Sequence, residues 1–185
     1  GMIKKENIRM NRQVEDILTI ARLDRKDFKF HWEAIDVHCL IEDAIQGIIL
    51  QIEKRGGKID ANLQASNPVV TTDRLHCTNL IYNLLDNANK YSGDSPEIKV
   101  STKNLAMGVL ISVKDNGIGM NKTVQSKIFE RFYRQTSGNI HNVKGFGLGL
   151  SYVKAILEAN HGTITVESEF GKGSKFDVFL PFIKE

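Results

Sequence analysis

Asn79-Leu80-Ile81-Tyr82-Asn83-Leu84-Leu85-Asp86-Asn87-Ala88-Asn89-Lys90-Tyr91 carries two patterns in one stretch. Leu80, Leu84, Leu85 and Ala88 recur at helical spacing and predict a buried stripe. Asn83, Asn87, Lys90 and Tyr91 fall at i, i+4, i+7 and i+8 and share a different face. A helix with core on one side and two amides, an amine and a phenol stacked on another suits a polar ligand, although an ordinary solvated face would read the same way. An amide oxygen can join phosphate oxygens around Mg²⁺, a cation that keeps few protein ligands. Asp73 has the chemistry of a cap, which predicts a helix from residue 74 to about 91.

Working outward, residues 37 to about 54 carry Leu40, Ile41, Ala44, Ile45, Ile48, Ile49 and Ile52 on a broad apolar face, and Gly56-Gly57 ends the run. One continuous helix is expected there. Residues 58–63 and 69–71 read as strands around the Asn67-Pro68 turn, and Phe28-Lys29-Phe30 alternates like a short strand. Further upstream, Ile3, Asn7, Met10, Val14, Ile17 and Ala21 alternate spacings of four and three, a heptad seam with Ile8, Leu18 and Ile20 lying off it. An isolated helix of this length is marginal in water, so it needs a partner, either another helix or its own domain.

Downstream, residues 97–102 and 109–114 alternate as two antiparallel strands would. Residues 116–145 are polar and irregular, with a short helical pattern around 124–132, and read as a lid. A last helix over about 148–160 and a closing hairpin of 163–168 and 174–180 complete the chain. There are too few βαβ units for a doubly wound parallel sheet. The order predicts an α+β fold: a two-layer α/β sandwich whose mixed, mostly antiparallel sheet has three helices on one face, preceded by one N-terminal helix.

The chain has 185 residues, enough for one good-sized domain or a domain with an appendage. Its net charge of +3 is too small and too evenly spread for a nucleic-acid groove. Apolar runs such as Val109-Leu110-Ile111 fall far short of the roughly 20 residues that span a bilayer. Cys39 and Cys77 lack the spacing of a disulfide or zinc framework and read as buried thiols in a reducing compartment. Gly1 ahead of Met2 reads as an added residue, and the chain as an excised piece of something longer.

Three further segments lie at element ends. The strand over 109–114 runs into Asp115-Asn116-Gly117-Ile118-Gly119, where a carboxylate could accept from an exocyclic amino group and glycines could admit a flat ring. Adenine offers that donor where guanine would present a carbonyl oxygen and be repelled; an ordinary Asp-Asn-Gly turn remains the competing reading. Gly145-Phe146-Gly147-Leu148-Gly149-Leu150 opens the last helix, whose N-terminal amides suit a triphosphate. Gly171-Lys172-Gly173-Ser174 turns the closing hairpin, where a plain hairpin turn serves equally well.

Taken together, these segments resemble the ATP-binding domain of bacterial sensor histidine kinases, within the superfamily shared with gyrase, the Hsp90 chaperone and MutL. NLLDNANKYS is similar to the N box, DNGIGM to the first glycine box and Phe129-Glu130-Arg131-Phe132-Tyr133-Arg134 to the F box, while GFGLGLS and GKGSKF are similar to the second and third glycine boxes. The resemblance implies a Bergerat-type fold, with Asn87 as the Mg²⁺ ligand, Asn83 near the phosphates and Lys90 reaching them. It implies that Tyr91 covers the sugar or base and that Asp115 reads the adenine amino group beside Gly117, Gly119 and Ser174. From the lid, Ile128, Tyr133 and Arg134 would close over ATP, with Lys90 and Arg134 as the catalytic pair. Gly145, Gly147, Leu148 and Gly149 would wrap the triphosphate. Two positions depart from the pattern: Phe146 and Ser174 both stand where Thr is usual. Ser174 keeps the hydroxyl and Phe146 does not.

Relatives that hydrolyse ATP place a Glu four residues before the Mg²⁺ ligand, and here that position is Asn83, which cannot act as a base at neutral pH. The resemblance therefore implies phosphoryl transfer from Mg-ATP to a histidine. None of His31, His38, His76, His141 or His161 has the His-Glu…Pro context of the acceptor. The implied organisation is residues 1–30 as the second helix of a dimerisation hairpin with its linker, and 31–185 as the catalytic domain. The implied partners are the acceptor-His helix of the same or a sister subunit, a response regulator and a second copy of the parent, with no nucleic acid and no direct membrane contact. The setting is cytoplasmic, and a membrane-anchored parent stays open. The alternatives are a serine kinase of the anti-sigma type and a degenerate nucleotide-binding interaction module.

Overall fold

A computed structural model describes residues 2–25, 27–133 and 147–182, apart from the side chains of 2–9 and 12–13. In chain order its elements are α1 (Met2–Asp24), β1 (Trp32–Asp36), α2 (Val37–Gln46), α3 (Ile49–Glu53), β2 (Lys58–Leu63), β3 (Val69–Asp73), α4 (Arg74–Tyr91), β4 (Glu97–Leu105), β5 (Gly108–Asp115), α5 (Lys122–Gln125), α6 (Gly149–Ala159), β6 (Thr163–Glu169) and β7 (Gly173–Pro181). Five strands form one sheet in the order β2-β4-β5-β7-β6, antiparallel except for the β2–β4 pair. Period-two alternation sorts the residues between its faces. Val109, Ile111, Val113 and Asp115 of β5, with Ser174, Phe176, Val178 and Leu180 of β7, point to the covered side. There α4 lies between α2 and α6, and Leu80, Leu84 and Leu85 are buried beneath it. The two-layer arrangement is the expected one, and α4 has the expected bounds.

Four local expectations change. The run over 37–54 is two helices, because Ile48 N bonds to Ile45 O at 3.0 Å and tightens the turn at Gly47. Any side chain at 47 would lie 3.3 Å from the Tyr82 ring, so the helix bends where it passes α4. The strands flanking Asn67-Pro68 do not pair with each other. β3 pairs with β1 in a separate two-stranded sheet, and β2 runs parallel to β4 across the crossover made by β3 and α4. The Phe28-Lys29-Phe30 alternation serves an aromatic cluster instead of a strand: Phe28 lies 4.6 Å from Phe30 and 4.9 Å from His76, and Phe30 lies 4.8 Å from Trp32. The helix near 124–132 is confined to α5, followed by turns.

Cys77 is buried as expected, its thiol pushed up to about 12 by burial, whereas Cys39 is exposed on the outward side of α2. The helix α1 meets the domain through Asp16, Thr19 and Ile20, with Leu23 partly buried. Met10, Val14 and Ile17 of the heptad seam face away, and the side chains of Ile3 and Asn7 lie outside the described residues. At its C-terminal end Asp24 accepts from both terminal nitrogens of Arg131, Nη1 to Oδ2 at 2.7 Å and Nη2 to Oδ1 at 2.8 Å. This fork holds the Asp24 carboxyl below its usual range.

Asp73 ties the layers together at the start of α4. Its Oδ1 accepts from His76 N at 3.1 Å and its Oδ2 from His31 N at 2.8 Å, so one buried carboxylate caps the helix and anchors the approach to β1. Asp73→Ala is expected to lower stability by about 2 kcal/mol, the upper end of a cap's contribution, because two amides lose their acceptor. A shift of the urea midpoint at constant m-value would register it; an unchanged midpoint would show that the cap adds nothing.

Candidate functional site

β5 ends with Asp115 on the covered face of the sheet, so the strand's own alternation drives a carboxylate into the interior. Its Oδ1 accepts from Gly117 N at 2.8 Å and from Ser174 N at 3.1 Å. Burial raises the carboxyl above the usual range, and these two amides partly offset that rise. Both bonds engage Oδ1, and among the described residues none donates to Oδ2. Ser174 Oγ lies 2.9 Å from Ser168 Oγ, and the Ser168 hydroxyl also receives Met120 N at 2.8 Å.

Glycines make this corner possible. Gly119 has φ +65°, and a Cβ there would lie 1.9 Å from Glu169 O. Gly173 has φ +88°, and a Cβ there would lie 2.1 Å from Asp115 O. The loop after β5 and the β6–β7 turn are therefore stacked backbone on backbone. Gln125 bridges them from α5, its amide donating to Met120 O at 2.9 Å and to Ser168 O at 2.8 Å.

The polar face of α4 adjoins this corner. Ile118 N donates to Tyr91 O at 3.0 Å, and a Cβ at Gly117 would lie 2.6 Å from the same oxygen. Asn83 donates its amide to Asn79 O at 2.9 Å, and its Oδ1 lies 2.9 Å from where a Cβ at Gly149 would sit. The half-buried Asn87 lies one turn beyond Asn83. Lys90 is held by Asp86 one turn earlier on the helix. Leu148 is buried and caps α6 with its backbone alone, so the first amides of that helix have no side-chain cap.

Tyr91, Asp115, Gly117, Gly119 and Ser174 are thus brought into one corner by direct contacts, and Asn83 meets Gly149 two turns earlier on the same helix. Ile128 is buried in the core and Tyr133 packs partly against it, while Gly147 O accepts from Phe132 N at 3.0 Å. Phe132 is exposed with φ +61°, an unusual conformation for a bulky residue. Arg134, Gly145 and Phe146 lie outside the described residues. Among the described residues no group of His, Cys, Asp and Glu could hold a metal by itself. The neutral oxygen of Asn87 fits a cation that takes its other ligands from phosphate and water. A separate cleft of about 950 Å³, lined by Glu15, Arg22, Phe28, Arg74 and Thr78 among others, opens between α1 and the start of α4 and contains none of these residues.

Sequence reasoning missed Asp86, Gln125 and Ser168. The i, i+4 spacing of Asp86 and Lys90 was a usable signal; Gln125 and Ser168 had none, because their contacts cross between elements.

Comparison with known proteins gives a consistent picture. The profile of the histidine kinase-, DNA gyrase B- and HSP90-like ATPase family matches residues 72–184. Sensor protein RprX of Bacteroides fragilis is 43% identical over 186 residues, covering 100% of this chain and 36% of that protein. The chain thus spans about a third of the length of such relatives. Full-length ShkA in complex with AMPPNP superposes with a TM-score of 0.82 at 23% identity, over 100% of this chain and 38% of that one. Histidine kinase ThkA in complex with the response regulator protein TrrA superposes with a TM-score of 0.75 at 22% identity, over 98% of this chain and 50% of that one. At these identities the two structures show the shared fold. Among the described residues no helix is long and apolar enough to cross a membrane.

Gly119→Ala should unfold or strongly destabilise the corner. A left-handed residue costs about 1–2 kcal/mol by itself, and the carbonyl of Glu169 blocks the new methyl group. Thermal denaturation would measure the loss, and an unshifted transition would mean that the two loops separate easily.

Proposed function

The chain belongs to the histidine kinase-, DNA gyrase B- and HSP90-like ATPase family, and from that premise we propose that it is the Mg-ATP-binding catalytic portion of a two-component sensor histidine kinase. The observation that carries the proposal is Asp115, a buried carboxylate whose Oδ1 accepts from two backbone amides while no described residue donates to its Oδ2. An oxygen fixed in this way selects a base that presents an exocyclic amino donor.

On this reading Asp115 Oδ2 accepts from the adenine amino group and Gly117 and Gly119 let the ring lie against the backbone. Tyr91, Ile128 and Tyr133 shield it. The uncapped amides at Gly147, Leu148 and Gly149, with Gly145, face the phosphate oxygens, where the positive end of the α6 dipole favours charge. Asn87 would supply one oxygen to Mg²⁺, and Asn83 stands beside Gly149 to orient a phosphate oxygen. The ion supplies neutralisation of charge spread over the phosphate oxygens. Lys90 exchanges Asp86 for a phosphate, and Arg134 stabilises charge on the transferring group. Asn83 offers no base for water, which favours a protein acceptor over hydrolysis.

The acceptor is a histidine on a helix preceding α1. Residues 1–30 form the second half of the dimerisation hairpin with its linker, and residues 31–185 the ATP-binding domain. The exposed Met10, Val14 and Ile17 support a partner helix along the seam, from the same or a sister subunit. A response regulator then receives the phosphoryl group, and the reaction runs in the cytoplasm.

Fluorescent Mg-ATP should bind the wild type and not Asp115→Asn, whose amide turns a donor toward the base. Affinity should fall as the pH drops through the raised pKa of Asp115, at a higher pH than an ordinary aspartate would require. Stability moves the other way: the folded-state pKa lies above the unfolded one, so the ionised group costs stability at neutral pH and that cost is relieved on acidification. Equal binding by both proteins would overturn the assignment. In a chain extended upstream through the acceptor helix, label from γ-labelled ATP should be acid-labile, as phosphohistidine is. Acid-stable label would point to a serine kinase instead.

A further inference from the structure

Helix α4 ends without the left-handed glycine that commonly closes a helix. Its C-cap is Ser92 in an extended conformation, and the last carbonyls find acceptor work elsewhere. Ser92 Oγ donates to Ala88 O at 2.6 Å, and Ile118 N donates to Tyr91 O at 3.0 Å. The remaining contacts converge on one side chain that belongs to no nucleotide motif and lies outside residues 72–184. Arg55 Nη1 donates to Asn89 O and, at 2.7 Å, to Asn89 Oδ1. Arg55 Nη2 donates to Ser92 O at 3.0 Å and to Gly93 O at 2.6 Å.

A guanidinium is planar and always charged, so four oxygens held in its fork are fixed relative to one another. Its charge also sits at the negative end of the α4 dipole. The turn that carries Arg55 is itself anchored: Lys58 N donates to Pro96 O at 2.8 Å, and a Cβ at Gly57 would lie 2.5 Å from the same oxygen. Arg55 therefore joins the turn after α3 to the one segment, residues 89–93, that presents Lys90 and Tyr91. Tyr91 O in turn holds the Gly117–Gly119 loop beside Asp115.

Resting on the ATP reading above, we propose that Arg55 is a positioning residue for nucleotide binding: its fork on residues 89–93 fixes the end of α4 and, through the Tyr91 carbonyl, the loop against which the base lies. Arg55 itself touches no nucleotide. Lysine cannot reproduce the fork, because a single ammonium cannot span Asn89 and Gly93 with paired parallel donors.

The test uses the full chain with fluorescent Mg-ATP, comparing wild type, Asp115→Asn, Arg55→Ala and Arg55→Lys, together with amide hydrogen exchange. Arg55→Ala should bind about tenfold more weakly, the equivalent of losing one charge-assisted hydrogen bond. Arg55→Lys should fall between it and the wild type, and keeps the test open if the alanine variant does not fold. Exchange at Ile118 should accelerate in Arg55→Ala while Ile111 and Val113 in β5 keep their protection. If the wild type binds, Asp115→Asn does not and Arg55→Ala binds like the wild type, the role of Arg55 falls alone. Uniform acceleration that includes Ile111 and Val113 would make Arg55 a general stabiliser and overturn the proposal. If the wild type itself binds no Mg-ATP, the ATP reading fails and takes this proposal with it.

Discussion

A carboxylate placed inside a protein has to be satisfied or it will not stay charged, and the folded corner around Asp115 is organised by that requirement. Two backbone amides, one from the loop after β5 and one from β7, converge on a single oxygen. Bringing them there demands that the loop and the β6–β7 turn pack backbone against backbone, which in turn demands Gly119 and Gly173. The outcome is an acceptor atom with fixed direction in a partly desolvated place. Such an atom can discriminate between ligands by the sign of one hydrogen bond.

The helix α4 has to serve two environments at once. Its apolar stripe fills the layer beneath α2 and α6, and its polar face borders the Asp115 corner and the start of α6. Neither end of it is closed by local sequence alone. Asp73 caps the start while also holding His31, and Arg55, Ser92 and Ile118 share the carbonyls at the end. Anchoring a helix from both ends keeps its polar groups in register with loops distant in sequence.

The N-terminal helix shows how one amphipathic pattern can supply two surfaces. Its broad apolar surface exceeds what a two-stranded seam uses. Thr19 and Ile20, beside the seam, are buried against the rest of the fold, and Met10, Val14 and Ile17 on the seam remain exposed. The Arg131–Asp24 fork connects this helix to the turns that follow α5. An exposed pair of this kind adds little to stability. It does define where the end of α1 sits relative to Phe132.

Periodicity and end chemistry were sufficient to read α4, β4, β5, α6 and the closing hairpin, because each follows from which side chains share a face. They also put Asp115 at the end of a strand and Ser174 in the closing turn and identified the glycines beside them, whereas their place on the covered side came from the structure. The pairing of β3 with β1, the break at Gly47 and the use of Phe28 and Phe30 in an aromatic cluster were not legible, since an alternating run says which residues are apolar and not which strand will pair with them. The same holds for Ser168, Gln125 and Arg55. By itself the sequence determined the residue types of the site and their order, through spacing within single elements. Only the tertiary structure decided which backbone atoms those side chains meet, because hydrogen bonds between distant segments depend on the register and packing of the whole sheet-and-helix sandwich.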